Sequence, residues 1–283
     1  MTEEVFVCSP SIREQRFLLE CAVVSNDPVA PSHYRMRLHG PEIAAAAVCG
    51  QFCMLEVSKT LQPFLRRPMC FERIHPPTFD VLYKVEGEGT RLLSQFLPGQ
   101  RISVQGPLGK GFPICSGVRR HILVAGGIGV AAMPALAEEL VRRFAAVPEV
   151  VLAARTRDDV INEAFFRELG CHVQCATDDG SWGHRGLATD LLEQLKPEAQ
   201  DCVYACGPMP MMRAVAALTA ASGAMCFVSL EAQMACGDGA CLGCVVQAKE
   251  EREGERMVRV CLDGPVFDAR VIDWEAQDDN DAD

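Results

Sequence analysis

Apolar and polar residues alternate through the first third of the chain. "RFLLECAVVS" (16–25), "HYRMRLHG" (33–40), "QFCMLEVS" (51–58), "FDVLYKVEG" (79–87) and "QRISVQGPLG" (100–109) are short runs of this kind, parted at fairly even spacing by Gly and Pro turns. Alternation puts every second side chain on one face, so each run predicts a half-buried strand. Short helices are expected only around 42–47 and 90–96. Strands without long helices between them predict a small antiparallel barrel over 16–112.

From 120 to 222 the pattern changes. "RHILVAGGIGVAAMPALAEELVRRF" (120–144) reads as a buried strand, a glycine turn and an amphipathic helix. "EVVLAARTRDD", "CHVQCATDD" and "DCVYACGP" then predict strands, interleaved with helices in "VINEAFFREL", "GLATDLLEQL" and "MPMMRAVAALTAASG". Alternating strands and helices imply a parallel sheet covered by helices. The predicted fold class is therefore α/β plus β. An antiparallel barrel domain covers 1–114, a parallel α/β domain 115–224, a small cysteine-bearing domain 225–274, and an acidic disordered tail 275–283.

Charge narrows the partners. The formal net charge of −11 argues against nucleic acid or an anionic membrane. The acidic N-terminus "MTEEVFVCSP" has no basic region followed by an apolar core, so no secretory leader is read there. The longest apolar run, 122–137, is shorter than a membrane span and is broken by Gly126, Gly127, Gly129 and Pro134. A cytoplasmic protein is expected. The 15 cysteines of such a chain should not form disulfides. Cys21, Cys49, Cys53, Cys171, Cys175 and Cys202 lie in apolar or alternating surroundings and are read as buried packing residues. The six histidines are scattered and read as surface or turn residues.

"MACGDGACLGCVV" (234–246) is different. Cys236, Cys241 and Cys244 follow a C-x4-C-x2-C spacing, and "VRVCLDG" supplies Cys261 downstream, the ligand order of plant-type [2Fe–2S] ferredoxins. Gly237, Gly239 and Gly243 would let the backbone wrap closely around a cluster. A zinc site is the weaker alternative, since only Cys241 and Cys244 form a short-spaced knuckle, and unligated thiols are a third reading.

Other stretches suit phosphates and nucleotides. Gly126, Gly127 and Gly129 lie between a strand and a helix, whose free N–H groups can hold a phosphate, although this is not the G-x-G-x-x-G fingerprint. "TDDGSWG", with Asp178, and "ACGP", with Cys206 and Gly207, fall at the carboxyl ends of predicted strands, where open α/β sheets bind ligands. In the barrel, "RRP" (Arg66–Arg67–Pro68) offers cationic charge, and "GEGT", with Gly89 and Thr90, stands ahead of a helix start. Each alone is equally a turn, a loop carboxylate or a solvated basic patch.

Together and in this order, barrel, "GGIGVAAMP" and "ACGP" resemble the ferredoxin–NADP reductase superfamily. With the cysteine loop added, "RRP", "LYKVEGEGT", "GPLGKGF", "TDDGSWGHRG", "YACGPMPMM" and "MACGDGACLGC…VCLDGPVFDA" resemble the electron-transfer subunits of NAD-dependent dihydroorotate dehydrogenase over about 16–274. The resemblance implies FAD in the barrel, with the flavin segments falling on Arg67, Pro68, Met69 and Cys70, on Leu82, Tyr83 and Lys84, and on Gly89 and Thr90. The family usually has Ser or Thr where this chain has Cys70, so a hydroxyl donor is replaced by a weaker thiol. The four cluster ligands fall on Cys236, Cys241, Cys244 and Cys261. Cys206 is placed near the nicotinamide as the one residue at the reacting centre, and NAD is the implied acceptor.

Hydride carriers move two electrons and the cluster moves one, so a flavin is needed between them. No second barrel or organic-acid site is found. The resemblance supplies the terminus: an FMN-containing catalytic subunit that oxidises dihydroorotate to orotate, in a hetero-oligomer, expected to be a heterotetramer. The flavin subunit of electron-bifurcating NADH-dependent ferredoxin–NADP oxidoreductase resembles the same pattern, but typically has aspartate as first cluster ligand where this chain has Cys236. Hydrogenase-type diaphorase subunits resemble it more loosely. A flavin-free ferredoxin-like carrier is a further alternative. NAD and NADP are not separated by Arg155 and Arg157, which could grip a 2′-phosphate, since Asp158 and Asp159 beside them would repel one.

Overall fold

In the computed structural model, residues 7–9, 15–145, 147–249 and 256–277 are described. Six antiparallel strands close into a barrel in the order Phe17–Ala30, His33–His39, Thr78–Lys84, Arg67–His75, Phe52–Leu55, Arg101–Leu108. The predicted alternation fills its interior: Cys21 and Val23, Met36 and Leu38, Phe79, Val81 and Tyr83, and Ile102 and Val104 all point inward and are buried. Ile43 and Ala44 of the helix Pro41–Ala46 join the same core.

The sixth strand, Arg67–His75, is not among the runs that alternation picks out. In its outer half Phe71 lies in the barrel core and Ile74 packs against it, whereas the polar Glu72 between them is also fully buried. A bulge interrupts its ladder there. Charges facing a second domain look, in sequence, like a solvated patch.

The second half of the chain forms a seven-stranded sheet in the order His184–Arg185, His172–Thr177, Glu149–Ala154, Arg120–Gly126, Asp201–Cys206, Met225–Ser229, Val266–Asp268. All neighbours are parallel except the last pair. The helices Pro134–Phe144, Glu163–Glu168, Ala188–Leu195 and Met209–Ser222 connect the strands as the pattern predicted. The order reverses between Arg120–Gly126 and Asp201–Cys206, which makes the crevice at their carboxyl ends the topological switch point. The final strand comes from beyond the cysteine loop. Trp274 and Gln277 are buried after it, and Gln277 Nε2 donates to Gln247 and Asp273 carbonyls, so 275–277 continue the fold rather than a disordered tail. The rest of that tail, 278–283, and most of the N-terminal stretch read for a leader lie outside the described residues.

Three local expectations are corrected. The glycine turn does not open the α-helix directly. A 3-10 segment, Gly127–Ala132, intervenes, and the helix begins at Pro134, whose fixed φ suits a first helical position. Cys8 and Cys115 form a disulfide, because the strand Val7–Ser9 pairs antiparallel with Ile114–Ser116 in a register that sets the two cysteines opposite each other, Cα atoms 4.0 Å apart. The other 13 cysteines are free, and the six read as packing residues are all buried. Two histidines are interior: His33 and His121 are 4% and 5% exposed.

His121 stacks between Phe144 and Tyr204, and its Nδ1 has no hydrogen-bond partner among the described residues. Burial pushes its pKa down to about 4. The folded protein therefore holds it neutral where the unfolded chain takes up a proton, so its contribution is complete above the unfolded value of about 6.5 and is lost as pH falls towards the folded value. Denaturant unfolding should lose about 2 kcal/mol between pH 7 and pH 5 through this residue, and His121→Phe, which keeps a ring in the stack, should remove that part of the slope.

A cleft shared by barrel, sheet and cysteine loop

Two cavities meet where the domains face each other. The smaller, about 210 Å³, has walls from all three parts of the chain: Pro68, Met69, Cys70, Leu82 and Lys84 from the barrel, Gly129 and Cys206 from the switch point, and Leu230, Glu231 and Met234 from the segment leading to the cysteine loop. The larger, about 510 Å³, runs outward along the sheet past Gly126, Gly127, Asp178 and Pro208. Lys84, Glu86 and Ile128 wall both, so the cavities are adjoining compartments of one cleft.

Most residues singled out from the sequence converge here. Strand alternation turns Leu82 and Lys84 towards the cleft. Tyr83 faces the other way, its ring stacked on Tyr34 and its hydroxyl donating to Asn26 Oδ1 at 2.8 Å, so it meets the cavity through its main chain. Arg67, Gly89 and Thr90 wall neither cavity. They gather at the first turn of the helix Glu88–Leu93 instead, where the Arg67 side chain lies across Gly89: a Cβ there would sit 2.4 Å from Arg67 Nε. Thr90 Oγ1 accepts the Glu86 and Gly87 N–H groups at 3.0 and 3.2 Å. The result is a cationic cradle that only a residue without a side chain permits.

At the switch point the requirement for glycine is steric. A Cβ on Gly129 would lie 2.4 Å from the Cys206 carbonyl oxygen, and one on Gly207, itself at φ +157°, would come within 3.0 Å of Gly126. The two strand ends therefore abut main chain to main chain. Burial holds the Cys206 thiol well above its ordinary range and pushes Cys70 up to about 12, with Glu231 adding to both, so neither is a thiolate near neutrality.

Glu231 is the residue that sequence reasoning missed. It directly follows the buried run Cys226–Leu230 and keeps solvent contact at the cavity wall, where desolvation by the surrounding wall, then the charge of Glu86, raises its carboxyl above the ordinary value. One acidic residue after a buried strand was the available signal. His33, also overlooked, walls the outer cavity and its Nδ1 lies 2.7 Å from the Pro31 carbonyl.

The cysteine loop packs onto the barrel. A Cβ on Gly237, at φ +74°, would strike Met54 at 2.7 Å, which places the loop against the strand whose Phe52 walls the inner cavity. The four thiols lie in two pairs. The Cys241 N–H points at Cys236 Sγ at 3.4 Å, and the Cys261 N–H at Cys244 Sγ at 3.5 Å. Among the described residues no three His, Cys, Asp or Glu side chains meet at a single ion position. A two-iron cluster would instead be held by four thiolates with N–H donors aimed at sulfur, and Cys236, Cys241, Cys244 and Cys261 with these N–H groups suit it. N–H donation from Gly243 comes first among the causes that lower Cys241 to about 7, whereas burial and then Cys244 push Cys261 up to about 12. Cys241 is exposed, and so is its neighbour Leu242, held at φ +60°.

This combination defines a class: a pyridine-nucleotide reductase of the ferredoxin–NADP reductase fold with an iron–sulfur module at its C-terminal end. The family model for the iron–sulfur cluster binding domain of dihydroorotate dehydrogenase B matches residues 231–273, and that for the oxidoreductase NAD-binding domain matches 123–217. The dihydroorotate dehydrogenase B (NAD(+)) electron transfer subunit of Desulforamulus reducens is 36% identical over 250 residues, covering 87% of this chain and 95% of its own. That of Geobacillus thermodenitrificans is 39% identical over 88% and 96% of the two chains. The chain belongs to the family of dihydroorotate dehydrogenase B electron transfer subunits. Among solved structures, an NADH-dependent reduced ferredoxin–NADP oxidoreductase superposes with a TM-score of 0.80 at 29% identity, covering 91% of each chain. The ferredoxin reductase of carbazole 1,9a-dioxygenase shares the fold, with a TM-score of 0.63 at 21% identity over 74% of this chain and 67% of its own. The chain is thus an oxidoreductase component whose cofactors are FAD, a [2Fe–2S] cluster and NAD.

Proposed function

We propose that this chain relays electrons between NAD and a partner FMN-containing subunit that oxidises dihydroorotate to orotate. The observation that carries the reading is continuity. Met234 walls the inner cavity and Cys236 follows two residues later, which limits their Cα separation to about 7 Å. Flavin seat and cluster loop are thereby held in fixed proximity. FAD, when bound, exchanges a hydride with nicotinamide and single electrons with the cluster.

The division of labour assigns 1–114 to FAD, 115–224 to NAD and 225–274 to the cluster. Arg67, over the first turn at Gly89 and Thr90, would neutralise the pyrophosphate. Pro68, Met69, Cys70, Leu82, Lys84 and the Tyr83 main chain would hold the ring. Gly126, Gly127, Asp178 and Pro208 would seat the dinucleotide in the outer compartment, and Gly129 and Gly207 keep the switch point narrow. Cys206, neutral and buried, would pack against the nicotinamide and keep water out. Cys236, Cys241, Cys244 and Cys261 would ligate the irons. The exposed Cys241–Leu242 edge is the natural exit towards the partner, in a cytoplasmic heterotetramer. No helix among the described residues is long and apolar enough to cross a membrane.

The direct test is purification with whatever binds tightly, followed by assay for dihydroorotate-dependent NAD⁺ reduction. A complex that instead couples NADH to ferredoxin and NADP⁺ would refute the assignment. Glu231 supplies a separate prediction. Its ionisation midpoint lies above that of an ordinary carboxylate, so the rate of flavin bleaching by NADH should change across that range. Glu231→Gln, which imitates the protonated group, should hold the low-pH rate at every pH; stopped-flow profiles of the two proteins make the comparison.

A further inference from the structure

One polar cluster bridges the barrel and the nucleotide domain outside the cleft. Glu72 is fully buried. Arg35, on the strand His33–His39 one strand removed across Thr78–Lys84, donates to it through Nε at 2.6 Å and Nη2 at 2.8 Å. Asn162 of the nucleotide domain completes the cluster: its Nδ2 donates to Glu72 Oε1 at 2.8 Å, and its Oδ1 accepts from Arg35 Nη2 at 2.6 Å. Asn162 sits at φ +67°, a conformation asparagine tolerates better than most residues, just ahead of the helix Glu163–Glu168.

The placement of Glu72 has a specific cause. The ladder pairs Phe71 with Val81 and Arg73 with Asp80, which leaves Glu72 as the extra residue of a β-bulge. A bulge re-aims the side chain it carries. Two more contacts cross the boundary from the same strand: the Arg73 guanidinium lies 4.0 Å from the Phe165 ring centroid, and His75 Nε2 is 3.2 Å from Glu138. Each side of the bridge continues directly into the cleft. Pro68, Met69 and Cys70 of the inner wall precede Glu72 on its own strand, and Arg155 and Asp159 of the outer wall precede Asn162.

We propose that Arg35, Glu72 and Asn162 form an interdomain clamp that sets the width of the nicotinamide cleft. Asn162 is a positioning residue, acting through the two domains it ties together. Releasing it lets the nucleotide domain sample wider arrangements, and apparent affinity falls by the fraction of molecules still competent to bind. The proposal rests on reading the two compartments as flavin and nicotinamide seats.

Asn162→Gly is the sharpest test. Glycine keeps the positive φ while deleting the bridging amide, and leaves the Arg35–Glu72 pair intact. Asp80→Asn is the matched control, because Arg37 and Asp80 form the same forked pair at 2.7 and 2.8 Å wholly within the barrel. In the FAD- and cluster-loaded protein, Asn162→Gly should raise the KM for NADH about tenfold with kcat changed less than about twofold. Hydrogen exchange without nucleotide should quicken along both 67–75 and 155–165. Asp80→Asn should change neither. Bleaching of the unsubstituted flavin by NADH together with an unchanged KM in Asn162→Gly, or an equal KM rise in Asp80→Asn, would overturn the clamp alone. No bleaching in the unsubstituted protein would overturn the clamp and the cleft reading together.

Discussion

Replacing Cys241 with serine should cut electron exchange with the partner subunit by about 100-fold or more, while NADH still bleaches the flavin at close to its normal rate. The two halves of this result come from different places in the fold. Cys241 lies on the exposed edge of the loop and walls neither cavity. Its N–H meets Cys236 Sγ and its own sulfur receives the Gly243 N–H, so the change falls on the thiol set alone. Partner-dependent NAD⁺ reduction and partner-free NADH bleaching, measured on one preparation, separate the halves. Loss of both would place the flavin under the control of the cysteine loop; loss of neither would remove the loop from the electron path.

Gly129→Ala should have an effect of similar size at the opposite end of the relay. The added methyl meets main chain, the Cys206 carbonyl at 2.4 Å and the Gly207 nitrogen at 2.6 Å, which cannot rotate aside as a flexible side chain would. The strand ends must separate, at a cost of about 1–3 kcal/mol in stability, and the nicotinamide seat separates with them. Flavin bleaching by NADH should slow at least about tenfold, because small misplacements at a reacting centre are expensive. FAD content and the visible iron–sulfur bands should be kept, since the barrel wall and the cysteine loop are untouched. Normal bleaching with a lowered melting temperature would show the contact to be structural only.

Where one periodicity governs a segment, the sequence was readable. The strands of Cys21 and Val23 or of Met36 and Leu38 have one buried face and declare it by alternation. The parallel strands, such as Asp201–Cys206, are buried on both faces and read as continuous apolar runs. The cysteine spacing was equally legible, because a loop that wraps a cluster is local in sequence. What stayed hidden depends on distant partners. The strand Arg67–His75 looks polar because Glu72, Arg73 and His75 are satisfied by Asn162, Phe165 and Glu138 of another domain. Glu231 gains meaning only when Cys70 and Cys206 are brought across from two other domains. His121 and His33 are interior for the same reason, and the Cys8–Cys115 bond follows from a strand pairing across 107 residues that no local pattern announces.

The strand Val266–Asp268 closes one margin of the nucleotide sheet by lying antiparallel on Met225–Ser229. The iron-bearing segment is thus sewn in on both sides, leaving the sheet at Ser229 and returning to it at Val266. A protein so stitched cannot release its metal module as a diffusing shuttle. Removing the chain from 266 onward would leave Met225–Ser229 with a bare rim of unpaired peptide groups, an invitation to join the same rim of another molecule.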